Sequence, residues 1–354
     1  MFRKNIISVD IGTYTTKIVV GKTKNKNKEI HINNAFMVET PSESYEDGYI
    51  KNLEAFKKMI HSILNKNKIK EKDIIFTVQS KDIITREIVL PYVKEEELSS
   101  MVYLEIEQYL PIRLDEYAVE YKVLEEFVDN DIKKIRVLVG ALPKSMVKIY
   151  LELIESLKLK ALALDMHANC ISKIFGGNVT INKENHSLDK TVTLIDLGHE
   201  YTNVTIINKG LIRFNRLIHQ GGRHIDTSIA NTYNLSLEDA QNRKIEHTNL
   251  EEVDGGFTST SMLNELVQSN VDTWISEIQR IFQYYNSRER GNSVDEIYLY
   301  GGSSNIKNLS NYMTNYTNIP TIKINTIDNI KFGKMSAKMD LGNYLNAIGA
   351  LIRR

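Results

Sequence analysis

Ile6-Ile7-Ser8-Val9-Asp10-Ile11-Gly12-Thr13-Tyr14-Thr15-Thr16-Lys17-Ile18-Val19-Val20 reads as a strand, a tight turn and a second strand, with a carboxylate at the bend. Its flanks are rich in β-branched residues, which suit a buried strand. Gly12 and the small hydroxyl residues after it suit a turn that brings backbone N–H groups towards an anion. Asp10 is the odd member, because a carboxylate ending an apolar strand is costly to bury unless something neutralises it. A hydrated Mg²⁺ carried in on phosphates would do so. Alone, an Asp-x-Gly turn is more often a plain hairpin, since short motifs specify function loosely.

A second copy changes the balance. Thr191-Val192-Thr193-Leu194-Ile195-Asp196-Leu197-Gly198-His199-Glu200-Tyr201-Thr202-Asn203-Val204-Thr205-Ile206-Ile207 follows the same order of residues. Asp10 matches Asp196, Gly12 matches Gly198 and Thr16 matches Thr202, each 186 positions apart, with apolar strands on both sides of each turn. A repeat at half the chain length points to duplicated domains facing each other, with two phosphate-holding hairpins across one cleft.

The chain has 354 residues, enough for two domains, since single cores seldom grow beyond about 250–300 residues. Lys plus Arg and Asp plus Glu number 45 each, so charge gives no case for nucleic acid as the main partner. The single cysteine, Cys170, cannot form an internal disulfide, which fits a reducing compartment. The first strand follows the start after five residues, which leaves no room for a signal peptide. No apolar run approaches the about 18 residues of a membrane span, so a soluble protein is expected. Lys22 to Lys28 reads as a solvated hairpin loop.

Between the hairpins, Ile30 to Glu39 reads as a strand and Asn52 to Asn65 as a helix carrying Leu53, Phe56, Ile60 and Leu64 on one face. Asp73 to Val78 and Ile83 to Leu90 are strands. From Glu95 a helix with Leu98, Met101, Val102 and Ile106 on one face stops before Pro111. Two strands follow, Tyr117 to Val123 and Ile135 to Leu142, and Pro143 opens another helix. Helix, hairpin and helix make a small module interrupting the first repeat. Ala161 to Asp165 then leads into a helix from Met166, ending near Gly176-Gly177. In the second half, Gly221-Gly222 opens a helix, Ser236 to Lys244 is a capped polar helix, and Met262 to Ser287 is a long amphipathic one. Glu296 to Tyr300 is a strand ending in Gly301-Gly302-Ser303-Ser304, with the serines placed to cap the next helix and the glycines permitting close approach to a ligand. Tyr344 to Leu351 carries Ala347, Gly349 and Ala350, small residues that let two helices approach, with Ala168 the expected counterpart.

In this order, the two hairpins, the Gly-Gly-Ser loop and the two small-residue helices resemble the actin-like ATPase superfamily. The resemblance covers nearly the whole sequence. A module inserted in the first domain is characteristic of its division-protein FtsA and type IV pilus PilM branch. Leu90-Pro91 with Glu96-Glu97-Leu98, Glu105 to Pro111 and Tyr121-Lys122-Val123-Leu124 look like the PilM family.

The implied fold is α/β: duplicated actin-like (ribonuclease H-like) domains around a nucleotide cleft, with a small α-β-β-α insert. Residues 1–90 and 156–186 would form the first domain, 91–155 the insert, and 187–342 the second domain with a helical subdomain at about 223–290. Residues 343–354 would be a hinge helix returning to the first domain.

The resemblance further implies ATP and Mg²⁺ as ligands. Asp10 and Asp196 would hold Mg²⁺ through its waters. Gly12, Thr13, Tyr14, Thr15 and Thr16, with Gly198, His199, Glu200, Tyr201 and Thr202, would offer backbone and hydroxyl donors to phosphates, and Lys17 would neutralise phosphate charge. Gly301, Gly302 and Ser303 would border the adenosine. Gln241 and Lys244 would close over ribose and adenine, with Gln241 standing where relatives often have Glu. Gly221 and Gly222 are either part of this site or a helix-start turn. Asp165 either orients an attacking water or caps the helix after it, the commoner task for such an Asp. His167, His199 and His224 lie near these segments without a second ligand at metal spacing, so no metal beyond Mg²⁺ is assigned.

The function implied is a cytoplasmic ATP-binding scaffold of a type IV pilus machine, peripheral to the inner face of the membrane. It would capture the N-terminal cytoplasmic peptide of PilN beside the insert. Membrane association would be indirect, with the pilus motor ATPases and self-association as further contacts and hydrolysis slow or absent. One alternative is an FtsA-like division tether, disfavoured because the chain closes on Leu351-Ile352-Arg353-Arg354 without an amphipathic tail. The other is a small-molecule kinase, for which no general base is located.

Overall fold

The computed structural model describes residues 4–25, 29–109, 113–251, 259–333 and 339–353. Parts of the expected 22–28 loop and the stop before Pro111 therefore lie outside the described residues.

Both Asp-bearing segments fold as hairpins. Strand Ile6–Ile11 pairs antiparallel with Thr15–Lys24, placing Asp10 opposite Lys17, and Val192–Leu197 pairs with Thr202–Asn208, placing Asp196 opposite Asn203. The registers are equivalent, with Ile11 facing Thr16 and Leu197 facing Thr202. In each turn the glycine N–H donates to the carbonyl three residues on, Gly12 to Thr15 at 3.1 Å and Gly198 to Tyr201 at 3.0 Å. A β-carbon at either glycine would press on that same oxygen.

Each hairpin sits in a sheet of the same topology. The first runs Lys160–Met166, Asp73–Val78, Ile6–Ile11, Thr15–Lys24, Glu29–Glu39. The second runs Thr321–Lys323, Glu296–Tyr300, Val192–Leu197, Thr202–Asn208, Leu211–Ile218. In both, the first three strands are mutually parallel and the last two pair antiparallel. The repeat inferred from two turns thus extends through both halves. One strand crosses over: Ile330–Phe332, from the end of the second half, adds in parallel to the first sheet at Glu29–Glu39.

Helix Leu53–Lys66, capped by Asn52 Oδ1 accepting from the Ala55 N–H at 3.1 Å, lays Phe56, Ile60 and Leu64 on the first sheet. These apolar positions recur at helical spacing. In the second half the long helix Ser259–Arg288 presents Val267, Val271, Trp274 and Ile278 to Ile195, Val204 and Leu299. Helices His167–Phe175 and Leu345–Ala350 meet in a core shared by both sheets. Their closest approach sets Gly349 against Cys170, not the expected Ala168, which turns instead towards Leu138 and Ile212.

The inserted module is a three-stranded sheet, Ile84–Pro91, Ile132–Pro143 and Tyr117–Asp129 in spatial order, covered on one face by helix Glu95–Tyr109. Leu98, Val102 and Ile106 pack there on Ile88, Leu90, Val137 and Val139. Helix Lys144–Ser156 sends Met146, Tyr150 and Leu153 into the first domain's core. Pairing and packing therefore draw the module as 84–143 where 91–155 was expected. Pro91 ends a strand of the module's own sheet, a position that proline tolerates. The module's other face rests on the second half through Leu138 and Ile212. Ion pairs fasten it there: Arg213 to Glu125 at 2.7 Å, Arg136 to Glu289 at 3.4 Å and Arg288 to Glu87 at 3.5 Å, while Arg136 also pairs within the module with Glu87 at 2.7 Å and Glu125 at 2.9 Å. Among the described residues, no helix is long and apolar enough to cross a membrane.

Candidate functional site

The two hairpin turns face one cavity of about 320 Å³ between the sheets. It is lined by Asp10, Gly12, Thr13, Tyr14, Thr15 and Lys17 from the first turn and by Asp196, Gly198, His199, Glu200 and Tyr201 from the second. Gly222, Gln241, Lys244, Gly301, Gly302 and Ser303 complete it, so most of the residues singled out from the sequence converge.

Four do not line it. Thr16 is fully buried, since neighbours on a strand point to opposite faces and Thr15 and Lys17 take the cavity side. The Thr40 hydroxyl donates to the Gly12 carbonyl at 2.6 Å and so must accept from Thr16, 2.9 Å away. Thr202 donates its hydroxyl to the Gln220 carbonyl at 2.7 Å. Both threonines therefore brace the turns; neither presents its hydroxyl to the cavity. Gly221 precedes helix Gly222–Tyr233 and packs on the second turn, where a β-carbon would lie 2.5 Å from the His199 carbonyl oxygen. The first N–H groups of that helix are already spent, Gly222 on Gly198 O at 3.0 Å and Arg223 on His199 O at 2.7 Å.

Asp165 is the fourth. It forms a buried ion pair with Lys173 at 2.6 Å and accepts from Asn169 at 2.7 Å. The residue at the helix cap is Met166, so Asp165 does not cap it. The expected capping by Ser303 and Ser304 also gives way. A short 3₁₀ turn, Gly302–Asn305, intervenes, and the helix begins only at Leu309. Ser303 donates instead to Gly198 O at 3.2 Å, tying this loop to the second hairpin, and Ser304 to Gly301 O at 2.7 Å. Gly301 has φ +86°, and a β-carbon there would overlap Asp196 Oδ1. The glycine makes room for the carboxylate itself.

Two residues that the sequence left unassigned join the carboxylates. His167 Nε2 lies 2.9 Å from Asp10 Oδ1, to which Thr77 also donates at 3.0 Å. Asn346 Nδ2 donates to Asp196 Oδ2 at 2.8 Å and lies 3.3 Å from His167 Nδ1. The strand register explains His167: Asp165 and Asp10 flank Thr77, so the residue two beyond Asp165 arrives beside the Asp10 side chain. Asn346 carried one signal, being the sole polar side chain in the apolar stretch Leu345–Ala350.

Burial opposes ionisation of Asp10, but His167, Lys17 and Thr77 outweigh it and hold the carboxyl at about 2. Burial pushes Asp196 up, against the pull of His167 and Asn346, and the Asp10 charge adds to the push. His199 is pushed down to about 4 by burial and by the charges of Lys244, Arg223 and Lys17. It is neutral at pH 7 and stacks on Tyr14 with ring centroids 5.0 Å apart, joining the two turns. Lys244 is spent on Asp226, 2.6 Å away, and on the Gly222 carbonyl at 3.3 Å.

Asp10 Oδ2 and Asp196 Oδ1 take no protein hydrogen bond among the described residues. No group of three or more His, Cys, Asp or Glu residues there could hold a metal directly. Two single carboxylate oxygens beside Lys17 and two glycine turns suit a hydrated divalent cation on a polyphosphate.

A family model described as type IV pilus assembly protein PilM matches residues 8–354. Among solved structures, one named as a PilM-PilN type IV pilus biogenesis complex superposes with TM-score 0.82 at 17% identity, covering 99% of each chain. The ethanolamine utilization protein EutJ from Carboxydothermus hydrogenoformans gives 0.57 at 11% identity over 99% of this chain and 90% of that one. MreB 5 of Spiroplasma citri bound to AMPPNP gives 0.55 at 13% identity over 99% and 96%. The shared fold is actin-like.

Proposed function

The chain belongs to the type IV pilus assembly protein PilM family, and from that premise we propose that it is the ATP-binding scaffold of a pilus assembly platform. It works in the cytoplasm at the inner face of the membrane, which it reaches by binding the N-terminal cytoplasmic peptide of PilN. The observation that carries the nucleotide half is the pair of equivalent carboxylates, Asp10 and Asp196, brought by the two halves to one cavity. The partner half is supported by a solved relative named as a PilM-PilN complex.

In this reading Mg²⁺ supplies charge neutralisation on the phosphates and is held through its waters by Asp10 and Asp196. Lys17 adds a second positive charge beside the turns. Backbone N–H groups of Thr13 to Thr15 and His199 to Tyr201 face the phosphates, while Gly302, Ser303 and Gln241 border the nucleoside. ATP acts as a conformational ligand, and it changes partner affinity only by binding closed and open clefts unequally.

The test is a titration of a labelled N-terminal PilN peptide into the purified protein, with and without Mg-ATP, followed by fluorescence anisotropy. Saturable binding whose affinity shifts with Mg-ATP is expected, and the shift gives the coupling free energy. No saturation in either condition removes the partner. Binding that ignores Mg-ATP removes the coupling.

A further inference from the structure

We propose that His167 and Asn346 are positioning residues that fix the two cation-facing carboxylates and make the cleft prefer Mg²⁺ to Ca²⁺. The inference rests on the nucleotide-binding reading above. The Asn346 amide nitrogen carries two hydrogens. One goes to Asp196 Oδ2 at 2.8 Å, and the same nitrogen rests 3.3 Å from His167 Nδ1. The imidazole is held from both sides, with Nε2 2.9 Å from Asp10 Oδ1 and Nδ1 3.0 Å from Gln79 Oε1. The Tyr300 hydroxyl holds the Asn346 oxygen at 3.4 Å and so fixes which way the amide faces.

Asp10, His167, Asn346 and Asp196 thus form one unbroken chain of side chains, each under 10% exposed. It starts in the first half, passes through the hinge helix and ends in the second half. Each end consumes one oxygen of a carboxylate and leaves the other oxygen to the cavity. Ca²⁺ takes about six to eight oxygen ligands and often both oxygens of a carboxylate, whereas Mg²⁺ keeps several waters. Carboxylates held to one free oxygen apiece can serve the waters of Mg²⁺ but cannot wrap Ca²⁺. Releasing either carboxylate would restore the bidentate option.

The experiment is calorimetric titration of Mg²⁺ and of Ca²⁺ into the full chain with ATP, alongside thermal melting of each variant. Wild type is expected to prefer Mg²⁺. Asn346→Ala and His167→Ala should weaken Mg²⁺ by about tenfold, in the range found for groups that orient metal-holding side chains, and should narrow the preference. His167→Gln, whose amide N–H can still reach Asp10, should keep most of it; general loosening of the core would not produce that rescue. If an alanine variant melts early, Asn346→Ser and His167→Gln carry the comparison. Folded variants with the wild-type Mg²⁺ to Ca²⁺ ratio overturn this proposal alone. A wild-type chain that binds ATP with neither metal overturns the nucleotide reading, and this proposal with it.

Discussion

A β-carbon on Gly349 would overlap the carbonyl oxygen of Cys170, so the helices Leu345–Ala350 and His167–Phe175 touch backbone to backbone at that crossing. Cys170 is wholly buried there, packed with Ile75 and Ala350. Two half-molecules meet through this crossing, and it leaves no room for even one methyl group.

Gly349→Ala should therefore destabilise the protein by at least ~1–3 kcal/mol, the usual range for overpacking a tight core. Urea melts would read the loss. A midpoint unchanged from wild type would mean that the helices can slide apart freely.

Asp165 and Lys173 are both under 10% exposed and pair at 2.6 Å. Removing one partner leaves a buried, uncompensated charge, so Lys173→Met should destabilise by roughly 3–5 kcal/mol. Asp165→Asn breaks the same pair and should lower the melt too, yet leave the Mg-ATP affinity of the folded protein at the wild-type value, because Asp165 does not line the cavity. A loss of Mg-ATP affinity in folded Asp165→Asn would place it in the site.

The two cleft carboxylates should act on apo stability with opposite signs. Asp10 is held at about 2 against an ordinary 3.8, so its contribution of ~2 kcal/mol is present above pH 4 and lost as the pH falls towards 2. Asp196 is raised, so its ionised form opposes folding at pH 7 and that opposition fades as the pH falls through its raised value. Without metal or nucleotide, Asp10→Asn should melt earlier at pH 7 and Asp196→Asn later. Chemical denaturation of both variants between pH 3 and 7 checks this, and a shift of the same sign at pH 7 would contradict it.

The ion pairs fastening the inserted module are largely shielded, with the side chains of Glu87, Arg136 and Arg213 at 6%, 12% and 14% exposure. Arg213 holds the Glu125 carboxyl below its usual range despite the opposing effect of burial. Arg213→Ala should speed amide hydrogen exchange in Ile84–Pro91 and Ile132–Pro143 and lower stability by about 1.5–3 kcal/mol, as expected when a charged hydrogen bond is lost. The hairpins around Asp10 and Asp196 should exchange as before. Unchanged exchange in the module would mean that Leu138, Ile212 and the remaining Arg288–Glu87 pair seat it without Arg213.

The duplicated hairpins were legible because each packs a strand, a carboxylate and a glycine into adjacent positions, and the second copy removes the ambiguity of the first. Helices with long apolar periodicity, such as Leu53–Lys66 and Ser259–Arg288, were equally plain. The module's limits were not, because Ile84–Pro91 alternates like any strand and only its pairing with Ile132–Pro143 shows which sheet it joins. The chemistry of Thr16 and Thr202 suits phosphate donors, yet the strands turn both away from the cavity. His167 reads in sequence only as a metal-ligand candidate, because its contact with Asp10 depends on two parallel strand pairings, Asp10 beside Thr77 and Thr77 beside Asp165, that no local pattern reveals. Strand Ile330–Phe332 is too short to show any period at all.

That last strand bears on how the protein is made. Ile330 pairs with Ile30, so the outer rim of the first sheet waits for a segment translated some 300 residues later. Until then a nascent chain carries Glu29–Glu39 with one side unpaired, the kind of edge that recruits strands from other molecules. Closing so long a loop is also slow. The first half is a domain the ribosome cannot finish until it has made the second.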